Sequence, residues 1–127
     1  MTDRPPREYD REYTDRLTPQ TRIRLGYSHD RGEVTRFVVQ LEYKLGDRWL
    51  QVVRYDHDAE GPTEATHDVT EEGLHIDIYR EDEKHRTEYI SPPMPAGEAL
   101  DRAEDHLAQN LEGFIHRFET WHGINSP

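Results

Sequence analysis

The chain has 127 residues, the length of one ordinary domain, and carries 27 Asp and Glu against 16 Lys and Arg for a formal charge of −11. Only 32% of residues are hydrophobic, against about 45–50% with glycine counted in typical domains, so the core must be small. The chain has no cysteine, which excludes disulfides, thiolate zinc sites and a cysteine nucleophile, and its negative charge opposes duplex-DNA binding.

Fourteen of the basic residues are Arg; only Lys44 and Lys84 are Lys. Multimolar salt shortens screening to about 3 Å or less, which makes such self-repulsion tolerable. The acid excess therefore points to a salt-adapted cell. An Arg-rich codon bias would explain the Arg but not the acid. No signal peptide or membrane span is expected, and the expected location is the cytoplasm.

In chain order, residues 1–18 read as an N-terminal arm, either disordered or a short helix. Tyr9, Tyr13 and Leu17 fall four apart, and Pro19 ends the segment. Residues 19–127 form the single domain. From Thr21 the period becomes two: Ile23, Leu25 and Tyr27 alternate with Arg22, Arg24 and Gly26. His29-Asp30-Arg31-Gly32 signals a turn, and Phe37, Val39, Leu41 and Tyr43 then share one face. Gly46-Asp47 turns the chain into a third strand, Arg48 to Asp56. There Trp49, Gln51, Val53 and Tyr55 are expected on one face and Leu50, Val52 and Arg54 on the other.

The polar stretch from His57 to Gly73 reads as a functional loop. Its end is expected to form a hairpin, with a turn at Thr70–Gly73 pairing His67–Val69 against Leu74 onward. Leu74 to Arg80 alternates cleanly, with Leu74, Ile76 and Ile78 inward. His85 to Ile90 returns the chain, and the Pro-rich run to Pro95 breaks it. Apolar residues from Ala99 to Trp121 recur at three and four, which predicts a helix over 96–122 with Pro95 before it and Gly123 after it. The fold class is α+β: an antiparallel sheet of about five strands with one long C-terminal helix across one face.

Three stretches carry a resemblance: VVRYDHD (52–58), HDVTEEGLHIDIYR (67–80) and HRFETWH (116–122). Together they resemble a haloarchaeal family of small acidic proteins, catalogued as a domain of unknown function. That family implies an α+β fold and salt adaptation, and no activity. The chain is also similar in kind to TumE-like toxins of toxin–antitoxin pairs at Arg54, Tyr55, Asp56, His57 and His67. It departs from them in lacking an adjacent His pair and a His-x-His step; His67-Asp68 and His75-x-Asp77 stand instead.

Three constellations are candidates for chemistry. His67, His75 and Asp77, with Asp56 or His57 near in sequence, offer imidazole and carboxylate for a divalent metal. His75 and Asp77 lie two apart on a strand and so share a face. The bland reading is a solvated strand face or a His–Asp hydrogen bond. Arg54 with His57, His67 or His75 could form an RNA-cleaving set, with His as acid and base and Arg54 holding charge on phosphorus. The bland reading is an Arg54 salt bridge to Asp77 or a nearby Glu. Tyr43, Trp49, Tyr55, Phe114, Phe118 and Trp121 could stack bases, but read first as core.

No P-loop, dinucleotide fingerprint, GxSxG or HExxH motif is present. The leading reading is a non-enzymatic interaction or regulatory module with no cofactor. It is expected to form a homodimer through the sheet face opposite the helix, with Leu50, Val52 and Val38 exposed there, and a small protein partner is left open. A toxin-like ribonuclease using Arg54, His67 and His75 comes second, and a metal-binding module third. The charge reading is testable by thermal melts: the midpoint rises from dilute buffer to multimolar KCl. An unchanged midpoint transfers the explanation to genome composition.

Overall fold

Two-residue hairpin turns favour positive φ at both central residues, because that geometry matches the twist of the flanking strands. Arg31-Gly32 and Glu81-Asp82 adopt such values, 54° and 81° and then 54° and 63°. They join strand β2 (Thr21–Asp30) to β3 (Glu33–Leu45), and β5 (Leu74–Arg80) to β6 (Glu83–Ser91). Gly46, at φ 64°, turns β3 into β4 (Arg48–Asp58). The structure, a computed structural model, describes residues 9–61 and 66–124.

The arm expected over residues 1–18 is neither a helix nor disordered where it is described. Arg11–Thr18 is strand β1, paired antiparallel with β2. The four-residue spacing of Tyr13 and Leu17 suits one face of a strand as well as one face of a helix, so the spacing alone was ambiguous. Met1–Glu8 lie outside the described residues. With β1 the sheet has six strands in the order β1-β2-β3-β4-β5-β6, every neighbouring pair antiparallel.

Helix α2 spans Ala96–Trp121, roughly 39 Å at about 1.5 Å per residue. Pro95 sits at its N-cap with φ −58°, and Gly123 follows its end at φ 66°. Ala99, Leu100, Ala103, Leu107, Phe114 and Phe118 are buried against the sheet, as the apolar stripe predicts. They meet Phe37, Val39, Leu41 and Tyr43 of β3, Tyr55 and Val53 of β4, and Ile76 and Ile78 of β5 in one core. Tyr43 stacks on Phe118 with centroids 5.0 Å apart, and its hydroxyl donates to Glu119 at 2.7 Å. Burial and that carboxylate push the Tyr43 hydroxyl up to about 12.

Strict alternation fails in β4 for one reason. Leu41 opposes Val53 but Glu42 opposes Gln51, so Val52 is an extra residue in a β-bulge. A one-residue slip exchanges faces. Leu50 therefore opposes Tyr43 on the helix side, whereas Trp49 opposes Lys44 on the open side, where Arg22 lies 4.0 Å from its ring centroid. The expected apolar patch of Leu50, Val52 and Val38 does not exist on the open face. Of the three, Val38 lines that face, among Arg and Asp side chains.

The expected hairpin at 67–73 is instead a four-residue helix, α1 (Val69–Glu72). Asp68 caps it, accepting from the Thr70 amide at 3.0 Å, and such a local bond competes with strand pairing. Gly73 follows at φ 85°, and a Cβ there would collide with the Ser91 carbonyl oxygen. Val69 is fully buried and anchors the turn.

Candidate functional site

Opposed residues of an antiparallel pair share a face, so the register of the sheet aligns one row across all six strands: Thr14, Arg24, Gln40, Arg54, Asp77 and Thr87. The row is polar throughout and lies on the face opposite α2. Neighbouring rows add Arg22 opposite Glu42, and Val38 opposite Asp56.

Asp77 is the centre of the candidate cluster and has 0% of its surface exposed. A buried carboxylate must be hydrogen-bonded and paired. Thr87 Oγ1 donates to Asp77 at 2.6 Å, His67 Nε2 lies 3.1 Å away, and Lys84 Nζ lies 3.5 Å away. Burial works to raise the Asp77 carboxyl, but the bonds from His67 and Thr87 and the charges of His67 and Lys84 outweigh it, and the net direction is down. The hydrogen bond to Asp77 raises His67 against the opposing effect of burial, with Asp77, Asp56 and Glu72 adding to the rise.

His67 reaches this position because the loop folds back along the end of β4. The Asp58 amide donates to the His67 carbonyl at 2.9 Å, and the His67 amide donates to Asp56 Oδ1 at 3.1 Å. Its other ring nitrogen, Nδ1, faces Glu72 at 3.6 Å. His75 stacks on it with centroids 5.2 Å apart and rings 13° from parallel. The His75 Nδ1 lies 3.3 Å from the Gly73 carbonyl oxygen.

Arg54, Asp56, His67, His75 and Asp77 thus share the open face. Arg54 Nε donates to Asp56 Oδ2 at 2.8 Å and Nη1 to Gln40 Oε1 at 3.1 Å. Burial opposes the Arg54 charge, but Asp56 outweighs it and the guanidinium stays protonated. The carboxylate that holds Arg54 is Asp56, two residues on along its own strand, rather than Asp77.

His57 does not join them. It opposes Phe37 on the helix side and is buried, and its Nδ1 accepts from the Val69 amide at 3.0 Å. Burial lowers it, which keeps the ring neutral as that acceptor. Tyr55 is likewise core, with its hydroxyl 2.8 Å from His106 Nδ1. Two of the five residues behind the toxin-like resemblance therefore serve packing.

One ligand atom each from Asp56, His67 and Asp77 lies within 4.8 Å of the others, so among the described residues these three, without His75, are grouped closely enough to hold a metal. Zinc ligands sit about 2.0–2.2 Å from the ion, which demands further convergence and displacement of Arg54 and Lys84 from the two carboxylates.

The sequence reading missed a second feature on the opposite side of the sheet. A groove of about 940 Å³ runs between β1–β2 and α2, lined by Tyr13, Leu17, Ile23, Leu25, Val34, Leu107 and Leu111 among others. It exists because α2 packs over β3, β4 and β5. Tyr13 and Leu17 are 56% and 37% exposed, although both are large and apolar. The alternation of Ile23 and Leu25 did signal a covered face; that β1 belongs to the sheet carried no such signal. Among the described residues, no helix is long and apolar enough to cross a membrane.

The model of a domain of unknown function, DUF7718, matches residues 7–124. The chain belongs to the DUF7718 family. The match spans β1, so the N-terminal strand is part of the family's domain. No curated protein and no solved structure matches the chain.

The His67–Asp77 pair makes the stability of this DUF7718 domain depend on pH. His67 lies above 6.5 in the folded chain, so its contribution is complete below about 6.5 and fades as pH rises through the folded value. Asp77 lies below 3.8, so its contribution is present above 3.8 and is lost as pH falls through the folded value. His67→Gln should therefore cost about 1–3 kcal/mol in urea unfolding near pH 5.5, with a smaller gap near pH 8.5. An equal gap at both values would remove the charged pair from the account.

Proposed function

We propose that this domain is a non-enzymatic interaction module that self-associates through the groove between β1–β2 and α2. One observation carries the reading: the groove of about 940 Å³ is lined mainly by apolar side chains and opens beside exposed Tyr13 and Leu17. Contiguous exposed apolar surface of this kind marks contact sites. The acid excess fits a module working in a salt-rich cytoplasm.

The polar face supports a structural role better than acid–base catalysis. His67 has a carboxylate at each ring nitrogen, and Arg54 is held by Asp56 and Gln40. Those contacts tie the 66–73 loop to the sheet, and they compete with any phosphate for Arg54 and with any proton transfer at His67.

Sedimentation or light scattering in high salt tests the reading. The wild-type chain should dimerise, and Tyr13→Asp with Leu17→Asp should give a folded monomer. These positions are exposed, so the fold should survive the change. A wild-type monomer at every concentration would overturn self-association and leave a different small protein as the groove's partner.

A second reading rests on the convergence of Asp56, His67 and Asp77. A divalent ion there would take the place of the His67 proton and weaken the Arg54 and Lys84 contacts. Metal analysis of protein purified in high salt without chelator should find about one equivalent, lost in His67→Ala. Metal-free protein that does not bind added zinc or manganese would end this reading.

A further inference from the structure

An edge strand presents a row of backbone N–H and C=O groups to anything that can add a strand. β1 is the outer strand of the sheet, exposed at all eight positions, and no described strand pairs its outer edge. Natural edges are commonly shortened, bulged, charged or covered. This one is eight residues long with no proline between Arg11 and Thr18, and its ladder is irregular between Arg16 and Thr18. Its charges Arg11, Glu12, Asp15 and Arg16 admit only an added strand that pairs them.

We infer that the partner at this edge is a second copy of β1, added antiparallel about a twofold axis at Tyr13, so that two sheets join into one of twelve strands. The inference rests on the self-association proposed above and adds its geometry. The charge pattern about Tyr13 is self-complementary. In Asp10-Arg11-Glu12-Tyr13-Thr14-Asp15-Arg16, reversal about Tyr13 sets Arg11 opposite Asp15, Asp10 opposite Arg16, and Glu12 opposite Thr14. Directly opposed unlike charges stabilise a strand pair and like charges destabilise it. This register contains no like-charge opposition.

Neighbouring registers that keep the same face are poorer. An axis at Thr14 keeps Glu12 opposite Arg16 but sets Tyr13 against Asp15 and Arg11 against Leu17. An axis at Glu12 opposes that carboxylate to itself.

The groove supplies an independent reason for the Tyr13 axis. Asp15 lines it together with Asp101 and Glu104, so its wall is acidic as well as apolar. Burial and the neighbouring Asp101 and Asp105 raise the Glu104 carboxyl, the mark of a carboxylate short of cations. The Tyr13 register brings Arg11 of the second copy opposite Asp15, on the groove side, since Tyr13 opposes Leu25 and Asp15 opposes Ile23. It also sets the two Tyr13 rings together at the mouths of the two grooves. The second copy thus supplies both the apolar cover and the cation.

The absence of cysteine allows a direct test on the full chain. Opposed strand residues have Cα atoms about 4.5–5.5 Å apart, within disulfide range. Tyr13→Cys should form a covalent dimer on mild oxidation. Leu17→Cys should not, because its two copies lie eight residues apart along the strand, roughly 26 Å at about 3.3 Å per residue.

Charge exchange is the second arm, measured at the lowest salt that keeps the chain folded. Arg11→Asp and Asp15→Arg should each weaken dimerisation about tenfold, and the double exchange should restore it. Dimerisation without a Tyr13→Cys cross-link and without rescue overturns this register while leaving self-association standing. A wild-type monomer overturns both.

Discussion

Six strands spaced about 4.8 Å apart make a sheet roughly 24 Å wide, whereas one α-helix with its side chains covers about 10–12 Å. A single helix cannot cover such a sheet. α2 lies over β3, β4 and β5, where Phe37, Tyr55, Ile76 and Phe118 close the core. The helix-side residues of β1 and β2 are left beside it, and the groove follows from that mismatch of widths. The small apolar share of the chain is spent where the helix lies.

Among the described residues no long helix covers the other face, and its side chains are polar and bonded to one another. The row from Thr14 through Arg24, Gln40, Arg54 and Asp77 to Thr87 is hydrogen-bonded side to side at two steps, Arg54 to Gln40 and Thr87 to Asp77. Glu42 receives Gln40 at 2.5 Å and Arg22 at 2.6 Å. Asp56 and Asp77 are buried in this layer because Arg54, His67, Thr87 and Lys84 satisfy them. A network of this kind fixes strand register by direction and charge, which apolar contacts alone do less sharply. It also holds the 66–73 loop through His67, while His57 holds the same loop from the opposite side of the sheet through the Val69 amide. The loop is thus fastened by two histidines pushed in opposite directions, His67 toward the charged form by its carboxylates and His57 toward the neutral form by burial.

The sequence carried the central meander, the β5–β6 hairpin and the long helix legibly, because alternation and the three–four period are local signals. Convergence of Arg54, His67, His75 and Asp77 on one side could be posed but not decided there. His75 and Asp77 share a face by strand geometry, but His67 arrives through a loop whose path depends on Asp56, Asp58 and α1. The pairing of Arg54 was legible in kind, a carboxylate, and not in identity. Periodicity assigned Trp49 to the core, and the bulge at Val52 moved it to the open face under Arg22.

What the sequence determined by itself is the inventory of local commitments: where strands alternate, where glycine and proline turn or stop the chain, where a helix begins and ends. It also determined the charge, which does not depend on folding. The tertiary structure alone decided whether Arg11–Thr18 is a helix or a strand, because Tyr13 and Leu17 satisfy both periods until β2 offers its edge. It alone decided the faces of β4, because one inserted residue in a ladder reverses every side chain beyond it while leaving the local pattern unchanged. The groove belongs wholly to that level, since it is the part of a sheet that one helix fails to reach.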